Sequence, residues 1–392
     1  MPDQKPTTVP LVPATTPGRE EPSGPPGSRP PDGRGPGKAG WDWLATFPPG
    51  YFALVMATGI VSTATHLLGV PLVPGALFAV NLAAYPVLWV ITLARLVRFP
   101  AAFFRDMGDH AAGPTFLAKV AATGVLGTQF ALMTPYRGIA LALWVLAALL
   151  WLVLTYALLA AVTLADPKPP IERALGGAWL LVVVSTESIC VLGTAVADVT
   201  PRPDVVAFAC LCAFLLGGLS YVILITLIAY RWLFHHMTAE ALAPPYWINM
   251  GAAAITALAG ASLTLYTRAH ADGAVSPELL QVLPVLTAGA WAAATWWILP
   301  LAAAAVWRHA VRRLPLAYDP QHWSVVFPLG MYAAATATYA QAAGHDFLMP
   351  LARLFAWAAL AAWLAAGAGL LLRWARHAPR LCGRALDRAD AR

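Results

Sequence analysis

Ten long apolar runs joined by short polar links constrain this chain more than any other feature of its sequence. They fall approximately at 48–68, 72–97, 114–133, 137–164, 173–197, 204–234, 245–267, 278–307, 321–343 and 350–374. Each reaches or exceeds the ~20 residues that a helix needs to cross a bilayer. Water-soluble domains would have to hide all of these runs at once, whereas a polytopic membrane protein can turn them toward lipid. The charge content agrees: 11% of residues are charged and 59% hydrophobic, against roughly 25% charged in a soluble domain. Because the links are short, successive helices are expected to pair as antiparallel hairpins.

Residues 1–40 are rich in Pro and Gly and poor in large apolar side chains, the composition of a segment that cannot bury enough surface to fold. This stretch lacks an apolar h-region and does not read as a signal peptide. The membrane domain is expected over 41–376, with Trp41 and Trp43 suited to an interfacial anchor and a basic tail at 377–392. Between spans 2 and 3, Arg105, Asp106, Asp109 and His110 alternate with Phe103, Phe104 and Met107, which predicts a short amphipathic helix on the membrane surface. Links on the N-terminal side carry ten Lys and Arg, Arg95, Lys119, Arg231 and Arg308 among them, and the opposite links carry four. That asymmetry predicts an inner (plasma) membrane protein with both termini cytoplasmic. The net charge of +6 thus reads as membrane orientation, and no nucleic-acid partner is expected.

Odd and even spans differ in kind. Eleven of the sixteen Trp lie in even spans, and odd spans hold only Trp179, Trp247 and Trp323, all near a helix start. The odd spans instead carry small, polar faces. In span 1, Thr58, Ser62 and Thr65 share a face, with Gly59 and His66 beside it; span 3 aligns Ala121, Gly124, Thr128 and Ala131. Span 5 aligns Thr186, Cys190, Gly193 and Ala197, and span 7 aligns Asn249, Ala253, Thr256 and Gly260. In span 9 the face is Phe327, Met331, Ala334, Thr338 and Gln341. Faces of this type let helices approach closely or leave room for a conduit. Their alternation over five spans points to an inner ring of five helices around a path, supported by five outer helices.

The stretches PGYFALVMATGIVS in span 1, PPYWINMGAAAITALAGA in span 7 and WSVVFPLGMYAAATATYA in span 9 resemble the tellurite-resistance/dicarboxylate transporter family. This is the voltage-dependent anion channel superfamily of malate permeases, sulfite exporters and plant slow anion channels. The resemblance runs from about Trp41 to Trp374. It implies ten helices as five hairpins in a quasi-fivefold ring, a central pore lined by the odd helices, and a homotrimer with one pore per subunit. It also implies an aromatic gate in helix 9, a Phe directly before a Pro, which Phe327-Pro328 matches. Such a gate seats against small residues of helix 1. There this chain departs from the family, with Ala57 where Gly is frequent, in Met56-Ala57-Thr58-Gly59.

Glu187 lies in the middle of span 5, where an acidic residue is disfavoured by roughly 2.5–3.5 kcal/mol on insertion scales. It is expected to be protonated, paired or exposed to water. Two readings stand: an acid for proton coupling beside the substrate, or a neutral Glu bonded to neighbouring hydroxyls. Asn249 can serve an anion or a helix break, or act as polar glue between helices. His66 reads as a hydrogen-bonding residue or an anion sensor. His235 and His236 diverge on a helix, and Cys190, Cys210, Cys212 and Cys382 lack metal-ligand spacing, so no metal or cofactor is expected. No HExxH, GxSxG, P-loop or dinucleotide turn is present. The expected function is transport of small anions, foremost C4-dicarboxylates such as malate. The alternatives are a passive channel or exporter for chloride, nitrate or sulfite, a tellurite-resistance permease and, from a different class, a polytopic membrane enzyme.

Overall fold

Pro at the first or second position of a helix loses nothing, because the first turn leaves its N–H unbonded anyway. Four of the five odd spans begin this way, each with a 3₁₀ turn: Pro49–Phe52, Gly113–Leu117, Pro244–Trp247 and Pro320–His322. The fifth turn, Gly177–Leu180, opens on glycine. A Cβ at Gly177 would lie 2.7 Å from the Tyr246 Cα atom, so two helix starts approach too closely there for any side chain.

The structure, a computed structural model, describes residues 41–270 and 277–389; the Pro/Gly-rich segment 1–40 lies outside them. Ten long helices follow one another in the unit Trp43–Arg392. They are α1 (Ala53–Leu67), α2 (Val73–Arg98), α3 (Ala118–Met133), α4 (Arg137–Leu164) and α5 (Leu181–Val196). The second half comprises α6 (Pro203–Phe234), α7 (Ile248–Ala269), α8 (Pro277–Val306), α9 (Trp323–Ala343) and α10 (Met349–Ala389). Among the described residues there is no strand. The backbone of α10 runs on through most of the stretch expected as a tail.

Nine helical segments are both long and apolar enough to span a membrane among the described residues. The tenth, α9, has 21 residues but is diluted by Tyr, Thr, Gln and Pro. Its position explains why this is tolerated: α9 packs against α1, α7, α8 and α10. Contacts run α1 to α3, α3 to α5, α5 to α7, α7 to α9 and α9 back to α1. Each even helix packs on its odd predecessor and on the next odd helix, α10 closing onto α9 and α1. Burial follows this order. In α1, α3, α5 and α7 between 67% and 89% of the apolar window is buried, against 17–22% in the even helices. The exposed faces of the even helices carry Val90, Leu149, Val222, Val285 and Leu371, among others, a continuous apolar surface of the kind that lipid covers.

Two sets of repeated hydrogen bonds tie outer helices to inner ones. In the first, an aromatic side chain of an even helix reaches the next odd helix. Trp151 donates to Thr186 Oγ1 (2.8 Å), Trp291 to Thr336 Oγ1 (3.0 Å) and Trp363 to Thr58 Oγ1 (2.9 Å). Tyr85 pairs with the Thr123 hydroxyl (2.8 Å), and Tyr221 donates to the Asn249 carbonyl (3.3 Å). In the second set, an arginine ending an even helix donates to a carbonyl just ahead of the preceding odd helix. Arg95 bonds Ala45, Arg231 bonds Leu175 and Arg308 bonds Leu242. These cations, counted in the sequence as link charges, therefore fasten helix starts. The short helix between α2 and α3 forms over Pro100–Gly108, buries Phe103 against Phe116, and pairs Asp106 with Arg95 at 2.5 Å.

Candidate functional site

Two cavities lie among the odd helices, and among the described residues no even helix lines either. The wider one, about 360 Å³, opens at the N-terminal ends of all five and is lined by Met56, Ala118, Leu181, Ile248, Ser324 and Phe327, among others. The narrower one, about 20 Å³, lies among Ile60, Thr63, Gly124, Thr128, Ser188 and Met331, with Val125, Val191, Ile255 and Leu258 completing its wall. About one probe sphere of ~10–15 Å³ is needed to hold a water, so the narrow chamber admits roughly one. Phe327 lines the wide cavity and Met331, one turn on, lines the narrow one. Phe327 is 1% exposed.

The lining follows an internal repeat. The first residue of four odd helices faces the wide cavity, and the residues seven and ten positions later face the narrow one. These are Ala53-Ile60-Thr63, Ala118-Val125-Thr128, Leu181-Ser188-Val191 and Ile248-Ile255-Leu258. Helix α9 departs from this register and presents Ser324, Phe327 and Met331. Its Pro328 packs on α7, where a Cβ at Gly251 would lie 2.9 Å from the proline Cγ.

Of the residues expected along the path, Gly124, Thr128, Phe327 and Met331 line these cavities. The others face elsewhere. Thr58 accepts from Trp363, Ser62 donates to the Pro74 carbonyl (2.8 Å), and Thr186 accepts from Trp151. Gly59 lets α1 approach α2 and α3: a Cβ there would lie 2.6 Å from Asn81 Nδ2 and 3.1 Å from Gln129 Oε1. The Glu187 carboxyl lies against Gly217 of α6 with Thr256 beside it, and neither oxygen makes a regular hydrogen bond. Thr256 itself lines a lateral cavity between α6 and α8. The Asn249 carboxamide is buried without a partner among the described residues. Ala57, Ala334 and Thr338 are buried but line neither cavity. The hydroxyl stripe of α1 thus turns away from the cavities: Thr58 is taken by Trp363 of α10, Ser62 bonds the Pro74 carbonyl of α2, and Thr65 bonds carbonyls of its own helix. The face at Met56, Ile60 and Thr63 turns inward instead. The signal that would have found it is the repeat, which small-residue counting does not reveal.

Among the described residues neither cavity is lined by Lys or Arg. The single carboxylate at the wide mouth, Asp109, accepts the backbone N–H groups of Ala111 and Ala112 (2.9 and 2.7 Å). Five helix N-termini converge at this mouth, each equivalent to roughly half a positive charge. Directly after Ala118 comes Lys119, 2% exposed, with its ammonium 4.0 Å from the Phe116 ring centroid and no hydrogen-bond partner among the described residues. The sequence reading treated Lys119 as a link charge; it lies inside the first turn of α3.

An all-helical bundle with membrane-spanning helices and stacked cavities along its inner helices defines a transporter or channel. The sequence pattern of the voltage-dependent anion channel family matches residues 46–371, and the chain belongs to that family. An uncharacterized membrane protein of Mycobacterium tuberculosis is 40% identical over 147 residues, covering 36% of this chain and 71% of that relative. An uncharacterized transporter of Methanocaldococcus jannaschii is 29% identical over 122 residues, covering 31% of this chain and 32% of its own.

Proposed function

We propose that the five odd helices form a quasi-fivefold ring and conduct small anions along its axis, with Phe327 as the gate. The observation that carries this reading is that every odd helix and, among the described residues, no even one lines both stacked cavities. Anions would enter the wide cavity, drawn by converging helix N-termini and by the buried Lys119 behind its wall. Passage then requires the Phe327 ring to move, because a chamber of about 20 Å³ holds no more than a water. A hydrophobic constriction of this kind excludes ions by dewetting as well as by size. Both termini would be cytoplasmic in the inner (plasma) membrane, which makes the wide cavity the inner mouth. The resemblance adds a homotrimer with one conduit per subunit.

That no described residue of either cavity wall is cationic favours singly charged inorganic anions such as chloride or nitrate. A C4-dicarboxylate such as malate, the first expectation from sequence, remains the second reading because about 360 Å³ accommodates it. Two carboxylates would ordinarily be met by paired charge-assisted donors such as Arg. The deciding experiment is anion-substituted flux in proteoliposomes, with and without a pH gradient. Chloride or nitrate currents without malate uptake are the expected result. Gradient-driven malate uptake would select the second reading, and flux of neither would overturn the proposal.

A further inference from the structure

We propose that a further cavity, between α8 and α10 beside the starts of α7 and α9 and outside the anion path, binds an anionic phospholipid. It measures about 450 Å³ and has two chemically distinct ends. Along its length the walls are small and apolar: Ala304 and Ala305 of α8 face Ala362, Ala365 and Ala366 of α10. Such a slot fits an acyl chain, held by packing against small apolar side chains, since the chain is already out of water in the bilayer. The slot opens toward the lipid-facing side. Ala365 is exposed, and so is Leu316 at the rim, at 78%.

The other end is cationic. Helix α8 passes at Trp307–Val311 into a π-helical turn, a distortion of the α-helix that is often found at functional sites. This turn carries Arg308 and His309, and His322 lines the same end from the start of α9. Arg308 directs Nη1 at the Leu242 carbonyl (2.6 Å), but its Nε is buried with no hydrogen-bond partner among the described residues. A buried donor left unmatched is unfavourable, so a phosphate oxygen is the natural complement. Arg312 lies nearby, stacked 5.0 Å from the Trp307 ring centroid. Two acids oppose this positive end. Glu240 is fully exposed and lies within the fields of Arg308 and Arg312, and Asp319 accepts the Gln321 N–H at 2.7 Å. Trp247 and Tyr318 also line the cavity, as amphipathic aromatics do at headgroup level. An apolar slot ending in an unmatched guanidinium fits one molecule with a tail and an anionic head. Free phosphate would leave the slot empty, and a zwitterionic lipid would bring its own cation to Arg308.

The test uses the intact protein in nanodiscs of phosphatidylglycerol and phosphatidylcholine in equal amounts, with native mass spectrometry of the lipid retained after extraction. Phosphatidylglycerol is expected to be enriched roughly tenfold over phosphatidylcholine, equivalent to about 1.4 kcal/mol. Arg308→Ala should reduce that ratio toward one. Because Arg308 also fastens the start of α7, Ala365→Trp provides the independent variant. It fills the slot from the lipid side, leaves Arg308 in place, and should abolish retention of both lipids. Equal retention of the two lipids by wild type, or undiminished phosphatidylglycerol in Ala365→Trp, would overturn the proposal. So would thermal protection by inorganic phosphate equal to that by phosphatidylglycerol, since the site would then take the free anion.

Discussion

Phe327 combines two properties that rarely meet in one residue: it is a fully buried aromatic, yet it faces a cavity. If it is the gate, Phe327→Ala should raise anion conductance, and Phe327→Leu should raise it less. Truncating a well-packed Phe is unfavourable by about 3–5 kcal/mol, but a ring that already borders open space should lose less. Folded yield should therefore hold. A well-folded Phe327→Ala protein with wild-type conductance would remove this residue from the gate. Lys119 makes a contrasting case. Its ammonium lies over the Phe52 and Phe116 rings and within the field of the like-charged Arg95, and an uncompensated buried charge is unfavourable by several kcal/mol. Lys119→Met keeps the length and removes the charge. It should leave the melting temperature unchanged or raise it, while lowering anion influx, most visibly at low salt. Unaltered influx would show that helix termini alone attract the anion. For Trp363→Phe, loss of the bond to Thr58 should reduce stability by about 0.5–1.5 kcal/mol and leave conductance alone. A large conductance change in that variant would return Thr58 to the path.

At the scale of elements, the design is an outer helix that locks an inner one. Aromatic donors fix rotation of the inner helices, and the arginines at the ends of α2, α6 and α8 fix where their partners begin. Rotation decides which face lines the axis, so these bonds act on the conduit without touching it. The Pro-initiated 3₁₀ turns place helix starts on one side of the membrane, the side that also carries the excess of Lys and Arg. Reporters fused after Arg173 and after Arg313 should therefore read cytoplasmic, and one fused near Asp272 should read external. An external reading from the Arg313 fusion would break the alternation of the hairpins. Helix α9 is the element least able to face lipid by itself. Its Tyr332, Thr336 and Tyr339 are answered by Thr295 and Trp291 of α8, which is why a helix of such modest apolarity can stand in the centre.

For the whole molecule, the contact order of the odd helices is a closed cycle. Any one of them can shift only by disturbing two inner neighbours and two outer ones. If Phe327 is the gate, opening by rotation of its side chain disturbs less of the packing than moving a helix would. A conductance that survives cross-linking of α1 to α9 would fit this, whereas loss of conductance on cross-linking would require helix motion.

Hydropathy, Trp placement and the alternation of small faces were sufficient to define the helical spans, their hairpin order and the split into inner and outer sets, because lipid imposes those patterns residue by residue. The Phe-Pro pair in α9 and the cavity positions of Gly124, Thr128 and Met331 were also legible. Helix rotation was not. A Thr on a membrane helix looks the same whether it faces a conduit or accepts a bond from a Trp on another helix. The partners of the Thr58 and Thr186 hydroxyls and of the Asn249 backbone carbonyl lie 305, 35 and 28 residues away, and only tertiary packing brings them together. The same holds for Lys119 and Glu187, both buried against neighbours that no local spacing indicates. Sequence determined which helices are inside; the tertiary structure decided which of their faces point at the axis, because that depends on hydrogen bonds made between helices.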